Sequence, residues 1–134
     1  MLKALLPALV LAAPVIAQDD FVMYLDTPEA CDATQDMDYE ERPFRAIHDG
    51  GAMLLSTYGM EAIEYNCEFE TEIVFDFSET SLQTRAGYCA EPGDYIYPQV
   101  FVIGMGAGEP DQVHVWSSTE PSGEAMIFTA CRQY

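Results

Sequence analysis

Polarity alternates with a period of two over much of the chain, a pattern that predicts strands rather than helices. The clearest run covers residues 61–77. Ile63, Tyr65, Cys67, Phe69, Ile73, Phe75 and Phe77 fall on odd positions, while Glu64, Asn66, Glu68, Glu70, Glu72 and Asp76 fall on even ones. This reads as a strand with one wet face. It is long for one strand, so a bend is expected near Glu70-Thr71. Residues 95–103 are apolar on both faces and read as a mostly buried strand, with Pro98 forcing an edge or a bulge. Val113 and Val115 alternate with Gln112, His114 and Trp116. Met126, Ile127 and Phe128 lead up to Cys131.

Turn signals separate these runs. Asp49-Gly50, between residues 44–48 and 51–57, predicts a β-hairpin. Glu91-Pro92-Gly93-Asp94, residues 104–111 and Glu120-Pro121-Ser122-Gly123 mark further turns. Thr27-Pro28-Glu29 is an acceptable helix start, so residues 28–38 could hold a short helical turn. No other segment after Gln18 has helical periodicity. Short strands joined by frequent turns predict an all-β fold, a single small antiparallel β-barrel or sandwich. A meander of hairpins favours the barrel, because closure removes exposed edges.

The first residues read differently. One lysine, an apolar run and small residues before Gln18-Asp19-Asp20 predict a signal peptide over residues 1–17, leaving 18–134 as a single β domain. The run is short and interrupted by Pro7 and Pro14, which argues against a membrane span. Export would place the protein in the periplasm or outside the cell. There Cys31, Cys67, Cys89 and Cys131 read as two disulfides. Three connectivities are open, and the tendency of neighbours to pair favours 31–67 with 89–131.

Composition adds an acidic surface. The chain has 23 acidic and five basic side chains, for a formal net charge of −18. Such a surface repels nucleic-acid phosphates and anionic lipid, and suits a basic protein or peptide. The acidic residues are scattered with no long run of one sign, which favours plain solvation or adaptation to a salty setting over a dedicated docking face.

Candidate chemistry is sparse. Asp32, Thr34, Asp36, Asp38 and Glu40 place oxygens at alternate positions, as a calcium loop does. Met37 stands where an EF-hand needs glycine, and Pro43 where it needs glutamate. A looser calcium site on Asp32, Asp36, Asp38 and Glu40 is the surviving metal reading; no other cofactor is implied. His48 and His114 lack metal-ligand spacing. There is no GxSxG or HExxH, so no catalytic residue is assigned and a non-enzymatic protein is expected. Tyr88, Tyr95, Tyr97 and Trp116 fall on neighbouring late strands and could line a ligand mouth or a partner-facing patch.

Cys31, EYNC ending at Cys67, GYCAEPGD around Cys89 and FTAC ending at Cys131 together resemble small secreted four-cysteine bacterial β-barrel proteins. That resemblance covers most of residues 18–134 and implies fold and compartment, with no catalytic residues. A second similarity is to periplasmic lysozyme inhibitors, disulfide-tied β-barrels that dock onto a basic enzyme. Of their SGxxY-type loop only Ser122-Gly123-Glu124 is present as a fragment. This similarity implies a basic partner, and the alternatives are a barrel for small apolar ligands and a calcium-stabilised extracellular module.

Overall fold

The structure, a computed structural model, describes residues 22–132 apart from Tyr39, Asp94, Ala107 and Pro121. The expected signal peptide, residues 1–17, lies outside the described residues. In chain order the elements are β1 (Met23–Leu25), α1 (Glu29–Thr34), α2 (Arg42–His48), β2 (Leu54–Leu55), β3 (Gly59–Ala62), β4 (Tyr65–Phe69), β5 (Ser81–Glu91), β6 (Tyr95–Gly106), β7 (Glu109–Ser117) and β8 (Met126–Cys131). Each strand pairs antiparallel with the next, and β8 returns to β1, so the sheet closes into an eight-stranded barrel.

Phe69, Phe101, Ile103, Val113, Val115 and Phe128 fill the interior, with Phe69 set edge-on to Phe101. Two glycines permit a close approach of strands on one side. A Cβ on Gly59 would lie 1.9 Å from the Cys67 carbonyl oxygen, and one on Gly87 would lie 2.2 Å from that of Glu68.

The long alternating run does not form one strand. It makes β3 and β4, joined tightly at Ile63-Glu64 because Ala62 pairs with Tyr65. After Phe69 it leaves the ladder. Residues 70–80 stay outside the strands, yet Ile73 is buried and Phe75 stacks on Tyr24 at 4.5 Å. Side chains of β5 take the place of a neighbouring strand. Gln83 bonds both the N–H and the carbonyl of Val74, and Arg85 Nε donates to the Glu72 carbonyl. This segment plugs one end of the barrel.

The expected hairpin at Asp49-Gly50 is instead the end of helix α2. Pro43 fits its first turn, and Arg45 pairs with Asp49 at 2.7 Å. Gly51 adopts φ 65°, and the amides of Gly51 and Ala52 reach back to the carbonyls of Ile47 and Ala46. The helical start at Thr27-Pro28-Glu29 is present as α1. Together α1 and α2 cover the outer face of β1 and β2, where Met23, Leu25, Ala30, Ala46 and Ala52 form a second buried cluster.

Pro98 sits where β6 outruns β7. The N–H and carbonyl of Val100 point towards Ser118, so Pro98, two residues back, turns its missing donor to that unpaired side.

The disulfides are Cys31–Cys131 and Cys67–Cys89, with Cα separations of 5.4 and 4.0 Å. This overturns the neighbour pairing 31–67 with 89–131. The reason is which face each cysteine occupies. Cys67 and Cys89 are register partners inside the barrel. Cys31 on α1 and Cys131 on β8 belong to the helix-covered outer layer. The barrel wall separates the two pairs. Two disulfides fit an oxidising, non-cytoplasmic compartment. Among the described residues no helix is long and apolar enough to cross a membrane.

Candidate functional site

The four aromatic candidates do not share one mouth. Tyr88 pairs with Pro98 and Trp116 with Val102, on the outer surface of the wall. Tyr95 and Tyr97 have the parity of the buried Gln99 and Phe101, and they stand at the barrel end opposite the plug.

A hollow of about 470 Å³ opens at that end, lined among others by Tyr65, Glu91, Tyr97, Ser117, Glu120 and Met126. Gln99 stands behind Ser117 and is only 3% exposed. Its Oε1 accepts a hydrogen bond from the Ser117 hydroxyl. Its Nε2 lies beside the Tyr65 and Tyr97 phenols without closing a well-formed hydrogen bond to either, and it pulls both phenols down. Burial pushes the Tyr65 phenol above its ordinary pKa, and the Gln99 and Tyr97 side chains beside it pull in the other direction. The Tyr97 hydroxyl donates to Glu91 at 2.5 Å, and that carboxylate, with some burial, pushes the phenol up to about 12. The mouth therefore offers aromatic and thioether walls, two carboxylates and one buried amide donor. Of these residues only Tyr97 stood out in the sequence. Gln99 had a readable signal, being a polar side chain on the inner face of an otherwise apolar run.

A second acidic region lies on the outside of β3 and β4. Glu61, Glu64, Glu68, Glu70 and Glu72 are all exposed there. With few cations in the chain, carboxylates find phenols instead. Tyr88 donates to Glu68, and a hydrogen bond to Glu72 raises the Tyr58 phenol above its usual pKa. The arginines are engaged elsewhere: Arg45 with Asp49, Arg132 with Asp111 at 2.6 Å, and Arg85 with backbone carbonyls.

Of the calcium candidates, Asp32 lies within α1, and Asp36, Asp38 and Glu40 follow it between the helices. A helical turn replaces the alternating loop that would bring every second oxygen to one point. Among the described residues no group of three or more His, Cys, Asp or Glu side chains stands close enough to hold a metal ion. Comparison with protein-family models, curated proteins and solved structures finds no match for this chain.

Proposed function

We propose that this chain is an exported, non-enzymatic binding protein whose acidic side docks a basic protein or peptide. The observation that supports this reading best is segregation. Exposed carboxylates crowd β3 and β4 and flank the mouth at Glu91 and Glu120, whereas on the outer wall of β5–β8 the exposed carboxylate is that of Glu109, 3.6 Å from His114. The scatter along the sequence becomes a sided distribution in space. The mouth suits one cationic side chain, with Tyr65, Tyr97 and Met126 against its methylenes and a carboxylate for its charge. A lysozyme-type enzyme is one partner of the required chemistry.

The test is retention of the disulfide-intact protein on immobilised cationic lysozyme. We expect retention at low ionic strength and release near 0.5 M salt, roughly where the Debye length falls to a few ångströms. Replacing Glu61, Glu68 and Glu72 by Gln should lower the releasing salt concentration. Absence of retention on this and other cationic proteins at low salt would refute the reading.

The buried Gln99 amide, which faces the mouth beside Tyr65 and Tyr97, supports a second reading, a small ligand held in the mouth. The hollow falls within the usual size range of small-molecule sites. Trp116 lies on the outer wall and would not report occupancy. The side-chain amide resonances of Gln99 would, by shifting on titration with a ligand panel.

A further inference from the structure

The barrel end opposite the plug gathers one kind of chemistry from distant stretches of the sequence. Tyr65 comes from β4, Tyr97 from β6 and Met126 from β8, while Met53 directly precedes β2. All four are partly buried, packing against the barrel core and lining the hollow of about 470 Å³. They give it two aromatic and two thioether walls. Exposed Glu91 and Glu120 complete the lining, and no Lys, Arg or His joins them. Burial is the first cause that raises the Tyr65 phenol, and the charges of Glu91 and Glu120 add to it, so both carboxylates act on this hollow. The groove between α1 and β8 is built differently. There Arg42 and Arg132 stand among the lining residues with Asp32 and Asp111, and Arg132 pairs with Asp111. Arg45 pairs with Asp49 on α2, and Arg85 holds the plug. The mouth is therefore a concave, aromatic, negatively charged site with no cation of its own among the described residues.

We infer that the mouth binds a small quaternary ammonium ion, held against the Tyr65 and Tyr97 rings, with Glu91 and Glu120 supplying the opposing charge. This rests on the reading of the mouth as a small-ligand site and names the chemical class of that ligand. Three properties select the class. The first is charge. Two carboxylates around a low-dielectric hollow concentrate cations and repel anions, and a neutral ligand gains nothing from them. The second is the walls. The faces of phenol rings attract a methylated cation, and flexible, polarizable methionines fit around its methyl groups. The third is hydrogen bonding. The hydroxyls of the lining are already engaged, Tyr97 with Glu91, Ser117 with Gln99 Oε1, and Thr119 with Ser117. A primary ammonium brings three N–H donors that need acceptors, whereas a quaternary one brings none.

Methyl-detected NMR titration of the disulfide-intact protein tests it. The probes are choline, the neutral alcohol in which carbon replaces the choline nitrogen, and the primary amine ethanolamine. The Met53 and Met126 methyls report the mouth, and those of Met37 and Met105 report elsewhere. Choline is expected to shift the mouth methyls with a dissociation constant on the order of 1 mM. The neutral isostere and ethanolamine should bind about tenfold more weakly. Glu91→Gln with Glu120→Gln should weaken choline binding about tenfold. Asp36→Asn with Asp38→Asn removes the same charge from outside the hollow and should leave the affinity unchanged. Tyr97→Leu should cost about fivefold, and Tyr97→Phe, which restores the ring, should recover most of that loss. Should Tyr97→Leu lower the urea midpoint, the exposed carboxylate pair carries the comparison. Equal affinity for choline and its neutral isostere would overturn the inference and leave the small-ligand reading standing. Silence to choline at about 50 mM would overturn it, and silence to a wider ligand panel would end that reading too. Equal loss in the two carboxylate variants, or shifts spread evenly to Met37 and Met105, would mark a cation gathered by net charge alone and would overturn it. So would ethanolamine binding as tightly as choline.

Discussion

The outsides of β3–β4 and of β5–β8 belong to one barrel and meet the same solvent, but they are built on opposite rules. On β3–β4 the inward residues are apolar and the outward ones, Gly59 apart, are the polar Glu61, Asn66 and Glu68, so alternation and burial agree. On β5 the outward residues are the apolar ones. The inward polar residues of β5 have work that explains their position, since Gln83 and Arg85 hold the plug segment by its backbone. Nothing inside the barrel asks for Leu82, Tyr88 or Ile96 outside. Local patterning that contradicts the fold is most informative where it is a functional surface. The first wall presents carboxylates to solvent; the second is largely apolar, with the Glu109 carboxylate 3.6 Å from His114.

The largest expected effect breaks the helix cover that makes β1–β2 unlike β5–β8. Cys31→Ala with Cys131→Ala opens a tie across 100 residues. In the chain-entropy account this costs about 4–5 kcal/mol, read as a drop in the urea midpoint. Binding of an apolar dye should rise in the variant as Met23 and Leu25 lose their cover.

A glycine on each wall sharpens the contrast at smaller cost. Gly59→Ala meets the Cys67 carbonyl, which is backbone and cannot move aside, and should cost about 3 kcal/mol. Gly104→Ala meets only the Trp116 and Leu82 side chains and should cost about 1 kcal/mol. Equal losses in the two variants would contradict a rigid acidic side and a yielding apolar one.

The mildest effect is a titration. The Tyr97 phenol is raised from 10.0 to about 12. Between these values the unfolded chain has released the proton while the folded chain retains it. Its stabilising contribution is therefore full below pH 10 and is lost as pH rises through about 12. Glu91→Gln removes the largest cause, so the absorbance change of Tyr97 near 295 nm should move back towards pH 10.

The barrel itself was legible in the sequence. Val113, Val115 and Phe128 point inward as their alternation predicts, and the turns near Gly93 and Gly123 fall between strands. The helix α2 was not legible. Seven residues, RPFRAIH, are too short to display a helical period, and Asp49-Gly50 mimics a hairpin turn while serving as a helix end. Residues 95–103 read as buried on both faces, but Ile96 and Val100 are exposed. Apolar runs predict burial only when something exists to bury them, and among the described residues nothing covers Ile96 or Val100. The disulfide pairing was within reach, since Cys67 lies on the apolar parity of its run and Cys131 lies out of phase with Phe128. The mouth was legible only in Tyr97 and in the odd polar Gln99, because Tyr65, Glu91 and Glu120 converge from β4, β5 and the loop after β7.

Hydroxyl-radical footprinting read by mass spectrometry tests the opposition of the two walls in one measurement. Tyr58 reports the acidic side, and Leu82, Trp116 and Ile127 report the apolar one. The account predicts that poly-lysine protects Tyr58 at low salt and that high salt abolishes this. It predicts that poly-lysine leaves Leu82, Trp116 and Ile127 unprotected at either salt concentration. Protection of both sets together, or the same salt response on both walls, would contradict it.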